Sequence, residues 1–125
     1  MTLFLLFLFQ FAVPYDVIDD VSASFKSANV KEISKYFSST VELAVLNDED
    51  IYSANQAELI LKDFFAKHPP LSMKIIHKVV SNANYKFGVI ILTSTKGIFR
   101  ISFEFKSAGE SFNITQIRIE ENKVN

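Results

Sequence analysis

Cysteine and tryptophan are both absent from this chain of 125 residues. Without a thiol there is no disulfide, no thiolate-bound metal, no cysteine nucleophile and no lipid-bearing cysteine. The lack of disulfides still leaves the compartment open. Glycine is scarce: there are three, all at or near expected strands, so no Gly-rich loop can cradle a phosphate. The two histidines, His68 and His77, fall on different elements, and no His-x-x-x-His or His-Glu pair is present. No metal site is therefore expected, and no cofactor. The pattern G-x-S-x-G is missing too. A net charge of −1 supplies no broad basic field, which argues against a nucleic-acid partner.

One long hydrophobic run is present, Leu3–Val13. It is short for a membrane span, which needs about 17–25 residues, and suits the apolar region of a secretory signal peptide. No Lys or Arg precedes it, and Pro14 interrupts the place of a small-x-small cleavage site; a buried N-terminal segment is the alternative. The expected organisation is a signal peptide or leader remnant over residues 1–15 and one domain over residues 16–125. The expected location is periplasmic or secreted, with no stable membrane span in the mature form.

Apolar residues make up 49% of the chain, and 13 are phenylalanine. A chain of this size buries about two-thirds of its unfolded surface. Ser53-Ala54-Asn55-Gln56 reads as a capping box that opens a helix, Ser53–His68. Ala57, Ile60, Leu61, Phe64, Phe65 and His68 share one stripe of it, and Pro69-Pro70 ends it. Upstream, Asp16–Ala28 reads as a helix with acids at its positive end. Asn29-Val30-Lys31-Glu32 repeats the capping-box pattern before a short second helix. Thr40–Leu46 alternates as a strand, Asn47-Asp48-Glu49-Asp50 reads as an acidic turn, and Ile51-Tyr52 pairs briefly.

After the prolines the period changes to two. In Leu71–Val80 the odd positions Leu71, Met73, Ile75, His77 and Val79 form the expected core face. Tyr85–Thr95 is apolar on both faces in its middle, so cover on both sides is expected. Gly97–Lys106 alternates with Phe99, Ile101, Phe103 and Phe105 inward. In Phe112–Glu121 the apolar positions change phase, which predicts a β-bulge near Thr115-Gln116. The whole reads as α+β: a curved, mainly antiparallel sheet wrapped over N-terminal helices and one capped helix.

His77 is the candidate catalytic residue, because an unpaired polar group on an apolar strand face is costly. Otherwise it is a satisfied core histidine, or it is exposed by a slipped register. Tyr36, Tyr52 and Tyr85 are candidates for a pocket mouth, or tyrosines that pack their rings and leave the hydroxyl wet. Arg118 is a candidate ligand contact, or half of a surface ion pair with Glu120. Asp48-Glu49-Asp50 lacks the spacing and glycine of a calcium loop and reads as solvated.

The element order resembles the nuclear transport factor 2-like superfamily, a cystatin-like cone. Val41-Glu42-Leu43, the capped helix from Tyr52-Ser53 through Gln56-Ala57-Glu58-Leu59-Ile60-Leu61-Lys62-Asp63-Phe64-Phe65, and Gln116-Ile117-Arg118-Ile119-Glu120 resemble a narrower group. That group is a domain of unknown function in small exported proteins of Bacteroidetes-type bacteria. The resemblance implies a fold and a compartment, and no activity. Three functional readings follow. The first is a binding module for a small apolar or amphipathic ligand or a protein partner, with a homodimer expected from outward Ile76, Val80, Ile90 and Leu92. The second is an isomerase- or hydrolase-type enzyme, which requires His77 and a second titratable group converging in a cavity. The third is a structural accessory domain with a filled cone.

Overall fold

Asp16 opens the first helix, α1 (Val17–Lys26), by accepting hydrogen bonds from the N–H groups of Ile18 and Asp19. The computed structural model describes residues 16–123, so the expected leader over residues 1–15 lies outside the described residues. The helix stops short of the expected Ala28, which sits at φ +55 and turns the chain. Asn29 then caps α2 (Val30–Ser34), accepting from the Glu32 N–H at 3.2 Å. Only half of the expected capping box forms there, because the Glu32 carboxylate pairs with Lys35 at 2.6 Å.

Strand β1 (Phe37–Val45) and β2 (Asp48–Ser53) form a hairpin around Leu46-Asn47. The expected acidic turn at 47–50 is therefore displaced: Asp48, Glu49 and Asp50 lie within β2. The chain reverses earlier because Leu46 adopts φ +56, which lets Val45 pair directly with Asp48. Helix α3 (Ala54–Lys67) carries the full capping box expected of Ser53 and Gln56. Four strands follow: β3 (Pro70–Asn82), β4 (Tyr85–Ser94), β5 (Gly97–Ala108) and β6 (Ser111–Glu121).

The six strands run β2-β1-β6-β5-β4-β3, with β1 and β6 parallel and every other neighbour antiparallel. On β6 the bulge falls where the phase change predicts it. Glu104 pairs with Gln116 and Phe105 with Ile114, so Thr115 is the extra residue. Its hydroxyl donates to the Glu104 carboxylate at 2.9 Å. On β3 the ladder slips three times, at Leu71, Ile76 and Ser81, so thirteen residues of β3 lie along ten of β4. Each slip bends the strand and raises its twist.

The concave face of the sheet closes on the helices. Phe25 of α1 stacks on Phe103 at 5.6 Å and meets Phe65 of α3 at 5.9 Å. Phe64 meets Phe99 edge-on at 5.1 Å. Phe25, Phe103 and Phe105 are fully buried with Ile18, Ile33, Leu43, Leu61, Ile90, Leu92 and Ile101. Each such side chain contributes about 1.5–3 kcal/mol relative to exposure. Ile90 and Leu92 were expected on the outer face but belong to this core, because β4 pairs Ile90 with Ile101 and Leu92 with Phe99. The outer face of β4 instead carries Phe87, Val89 and Ile91, of which Val89 is itself buried.

A cleft between the first hairpin and the capped helix

The aromatic core ends at Phe64, and beyond it the concave side opens. Hairpin β1–β2 and helix α3 diverge there to leave a cleft of about 910 Å³. Its floor is apolar: Leu43 and Val45 from β1, Tyr52 from β2, and Ile60 and Phe64 from α3. Leu46 and Leu59 stand at the rim and are 40% and 65% exposed. On β2 the period of two turns Asp48, Asp50 and Tyr52 to the side of their partners Val45, Leu43 and Val41. Glu49 points the other way and meets Arg118 on the outer face at 3.0 Å. The α3 rim adds Asp63, bonded to Lys67 at 3.0 Å, and His68.

His68 closes α3 just before Pro69. Its Nδ1 lies 2.9 Å from the Phe64 carbonyl, which can only accept, so Nδ1 carries the proton. The ring stacks on Phe64 at 4.5 Å and meets Phe99 edge-on at 5.0 Å. The histidine is thereby fixed between the core and the cleft.

Of the candidate site residues Tyr36, Tyr52, His77, Tyr85 and Arg118, only Tyr52 lines this cleft. His77 is exposed on the outer face, opposite to its expected side. The slip at Ile76 reverses the alternation: Ile75 pairs with core Ile90, but His77 pairs with outward Val89. The same reversal turns Lys78 inward, where its ammonium bonds to Asp16 and to Asp19 at 2.8 Å. His77 and a second titratable group do not converge in a cavity, and Phe65, Phe99, Ile101 and Phe103 fill the interior.

Tyr36 donates to Asp20 at 2.6 Å beside a smaller depression of about 450 Å³ between α2 and the β5–β6 turn. Burial raises the Tyr36 hydroxyl above its ordinary value. Tyr85 lies on the outer face and donates to Glu104 at 3.1 Å. Burial, and then the charge and hydrogen bond of Glu104, push its hydroxyl up. Arg118 bridges Glu49 and Glu120, the surface pairing given as its plainer reading. Asp48 and Asp50, read from the sequence as part of a solvated turn, and His68, read as part of the helical stripe, line the cleft as well. The signal was available in β2, whose alternation shows once Asp48 is read as strand. Among the described residues no group of three His, Asp or Glu side chains is placed to hold a metal ion. Among them, too, no helix is long and apolar enough to cross a membrane.

A curved sheet closed over three helices is the nuclear transport factor 2-like, cystatin-like cone. A domain of unknown function with a cystatin-like fold from Nostoc punctiforme matches at a TM-score of 0.66 with 7% identity, over 85% of this chain and 73% of that one. The chain belongs to a narrower family, DUF4783, a domain of unknown function matched over residues 18–120. The DUF4783 protein of Bacteroides uniformis is 28% identical with a TM-score of 0.82, over 87% of this chain and all (100%) of that one. That of Bacteroides fragilis is 27% identical with a TM-score of 0.79, over 86% of this chain and 100% of that one. No curated protein matches the chain.

Proposed function

We propose that the protein is an exported binding domain that holds a small amphipathic ligand in the cleft between β1–β2 and α3. The observation that carries this reading is the contrast between the two ends of the concave side. One end is packed solid by Phe25, Phe65, Phe103 and Phe105; the other leaves about 910 Å³ open over an apolar floor. Clefts of about 300–1,000 Å³ lined by apolar and aromatic groups with a few polar ones are the usual form of small-molecule sites. Export is supported by the apolar run Leu3–Val13.

Titration with a fluorescent amphiphile tests the binding. The expected result is saturable enhancement that Leu59→Arg suppresses, since Leu59 is largely exposed and its replacement leaves the core intact. Equal enhancement in Leu59→Arg would refute the cleft as the site. Amino-terminal sequencing of the protein recovered from a fractionated host tests export.

A further inference from the structure

We propose that the ligand of this cleft carries a neutral hydroxyl, an alcohol or phenol, which donates to Nε2 of His68 while its apolar body lies on the floor. This rests on the cleft being the binding site and adds the anchoring atom and the functional group it selects.

Three contacts fix the imidazole. Its Nδ1 donates to the Phe64 carbonyl at 2.9 Å, one face stacks on Phe64 at 4.5 Å, and Phe99 meets it edge-on at 5.0 Å. With the proton held on Nδ1, the neutral ring presents a lone pair at Nε2, which can only accept. Among the described residues nothing bonds to Nε2, and the side-chain atom sealed from solvent without a partner is Ser22 Oγ instead. His68 is partly buried and lines the cleft, so the lone pair opens toward it. Phe64, on which the ring lies, is part of the apolar floor. A hydrogen bond made beside that floor is stronger than one made in water.

The charges around the cleft act by exclusion. Asp63 is held by Lys67 at 3.0 Å, and Asp48 and Asp50 are exposed on β2. A carboxylate ligand brings no proton at neutral pH and meets like charges at the rim. A hydroxyl brings the proton and no charge, so it gives up little hydration over Leu43, Val45 and Ile60.

The test compares 1-octanol, its isomer heptyl methyl ether and octanoate by calorimetry or ligand-observed NMR, at about pH 8, where free imidazole is neutral. Octanol is expected to bind about three- to tenfold more tightly than the ether, the effect of one net hydrogen bond. Octanoate is expected to bind most weakly. In His68→Phe the octanol preference should disappear while the ether binds as before. That variant keeps a ring against Phe64 and Phe99, and the Phe64 carbonyl still accepts from the main-chain N–H of residue 68 at 2.9 Å. In His77→Ala, His68 is the sole remaining histidine, so its ring nitrogens are read directly by nitrogen NMR. There octanol should move the Nε2 resonance upfield and the ether should not; if His68→Phe fails to fold, this signal decides alone. Equal binding of octanol and ether, tighter binding of octanoate, an octanol preference that survives His68→Phe or an unmoved Nε2 resonance would overturn the hydroxyl assignment and leave the cleft reading standing. If no probe binds in a manner sensitive to Leu59→Arg, the cleft reading falls and this assignment with it.

Discussion

The ring of Phe103 on β5 occupies the space that a side chain at Gly88 on β4 would need. A Cβ at position 88 would lie 2.6 Å from that ring and 2.9 Å from Ile18 of α1. Phe103 cannot yield, since it is fully buried and wedged between Phe25 and Phe105. The missing side chain lets α1 settle close against the sheet. Gly88→Ala is expected to destabilise the fold by about 1–3 kcal/mol, measured by urea unfolding. An unchanged midpoint would show that α1 can lift away at little cost.

His77 makes the opposite prediction. It stands on the outer face beyond the slip at Ile76, so His77→Ala should leave stability within about 0.5 kcal/mol and ligand binding unchanged. Phe25→Ala should cost about 3–5 kcal/mol in the same assay. A large loss on removing His77 would show that its ring is held in the core.

Leu46 carries a conformation that glycine or asparagine adopts more readily, at φ +56. Its side chain gains little burial in return, being 40% exposed at the cleft rim. Leu46→Asn is expected to stabilise the protein by about 0.5–1 kcal/mol and to weaken amphiphile binding at once. Thermal melts and the dye titration read the two effects separately. A variant that is less stable would refute the strain at this turn.

Asp16 and Lys78 set the response to acid. Burial alone would push the Asp16 carboxyl up, but the hydrogen bonds from Lys78 and the Ile18 N–H, with the Lys78 charge, hold it below its ordinary 3.8. Hydrogen bonds to Asp16 and Asp19 raise Lys78 above its ordinary 10.5. A carboxyl lowered on folding contributes stability above its unfolded value and loses it as pH falls through the folded value. A lysine raised on folding contributes below its unfolded value and loses this as pH rises through the folded one. The clamp is therefore intact at neutral pH and fails at both extremes. Asn also caps helices, so Asp16→Asn should cost under about 1 kcal/mol at pH 7, both partners being partly exposed. The difference should start to shrink as pH falls below about 4 and vanish once pH lies below the lowered folded value of Asp16. A difference that persists into strong acid would rule out the ionic origin.

The fold was legible where local chemistry and hydrophobic period agreed. Ser53 with Gln56, and the double proline, framed α3, and the phase change from Ile114 to Ile117 located the bulge at Thr115. β3 was misread because its slips lie on an edge strand exposed to solvent, where no run of buried residues marks the change of face. The start of β2 reads as a turn for a different reason. Asp48-Glu49-Asp50 has the composition of a turn, and only pairing with core-facing β1 makes it a strand. Tertiary context outweighed propensity there, and it turned two of the three acids toward the open end of the cone.

The three slips along β3 also shape an exposed border of the sheet. This strand is one of the two borders of the sheet, and Leu71 and Val80 on it are more than half exposed, a combination that elsewhere invites chains to zip together. Here the main-chain donors and acceptors fall out of step every five residues, at Leu71, Ile76 and Ser81. Bulges spaced this way interrupt the regular ladder that a second chain would need to add a continuous strand, which blunts the exposed edge against pairing.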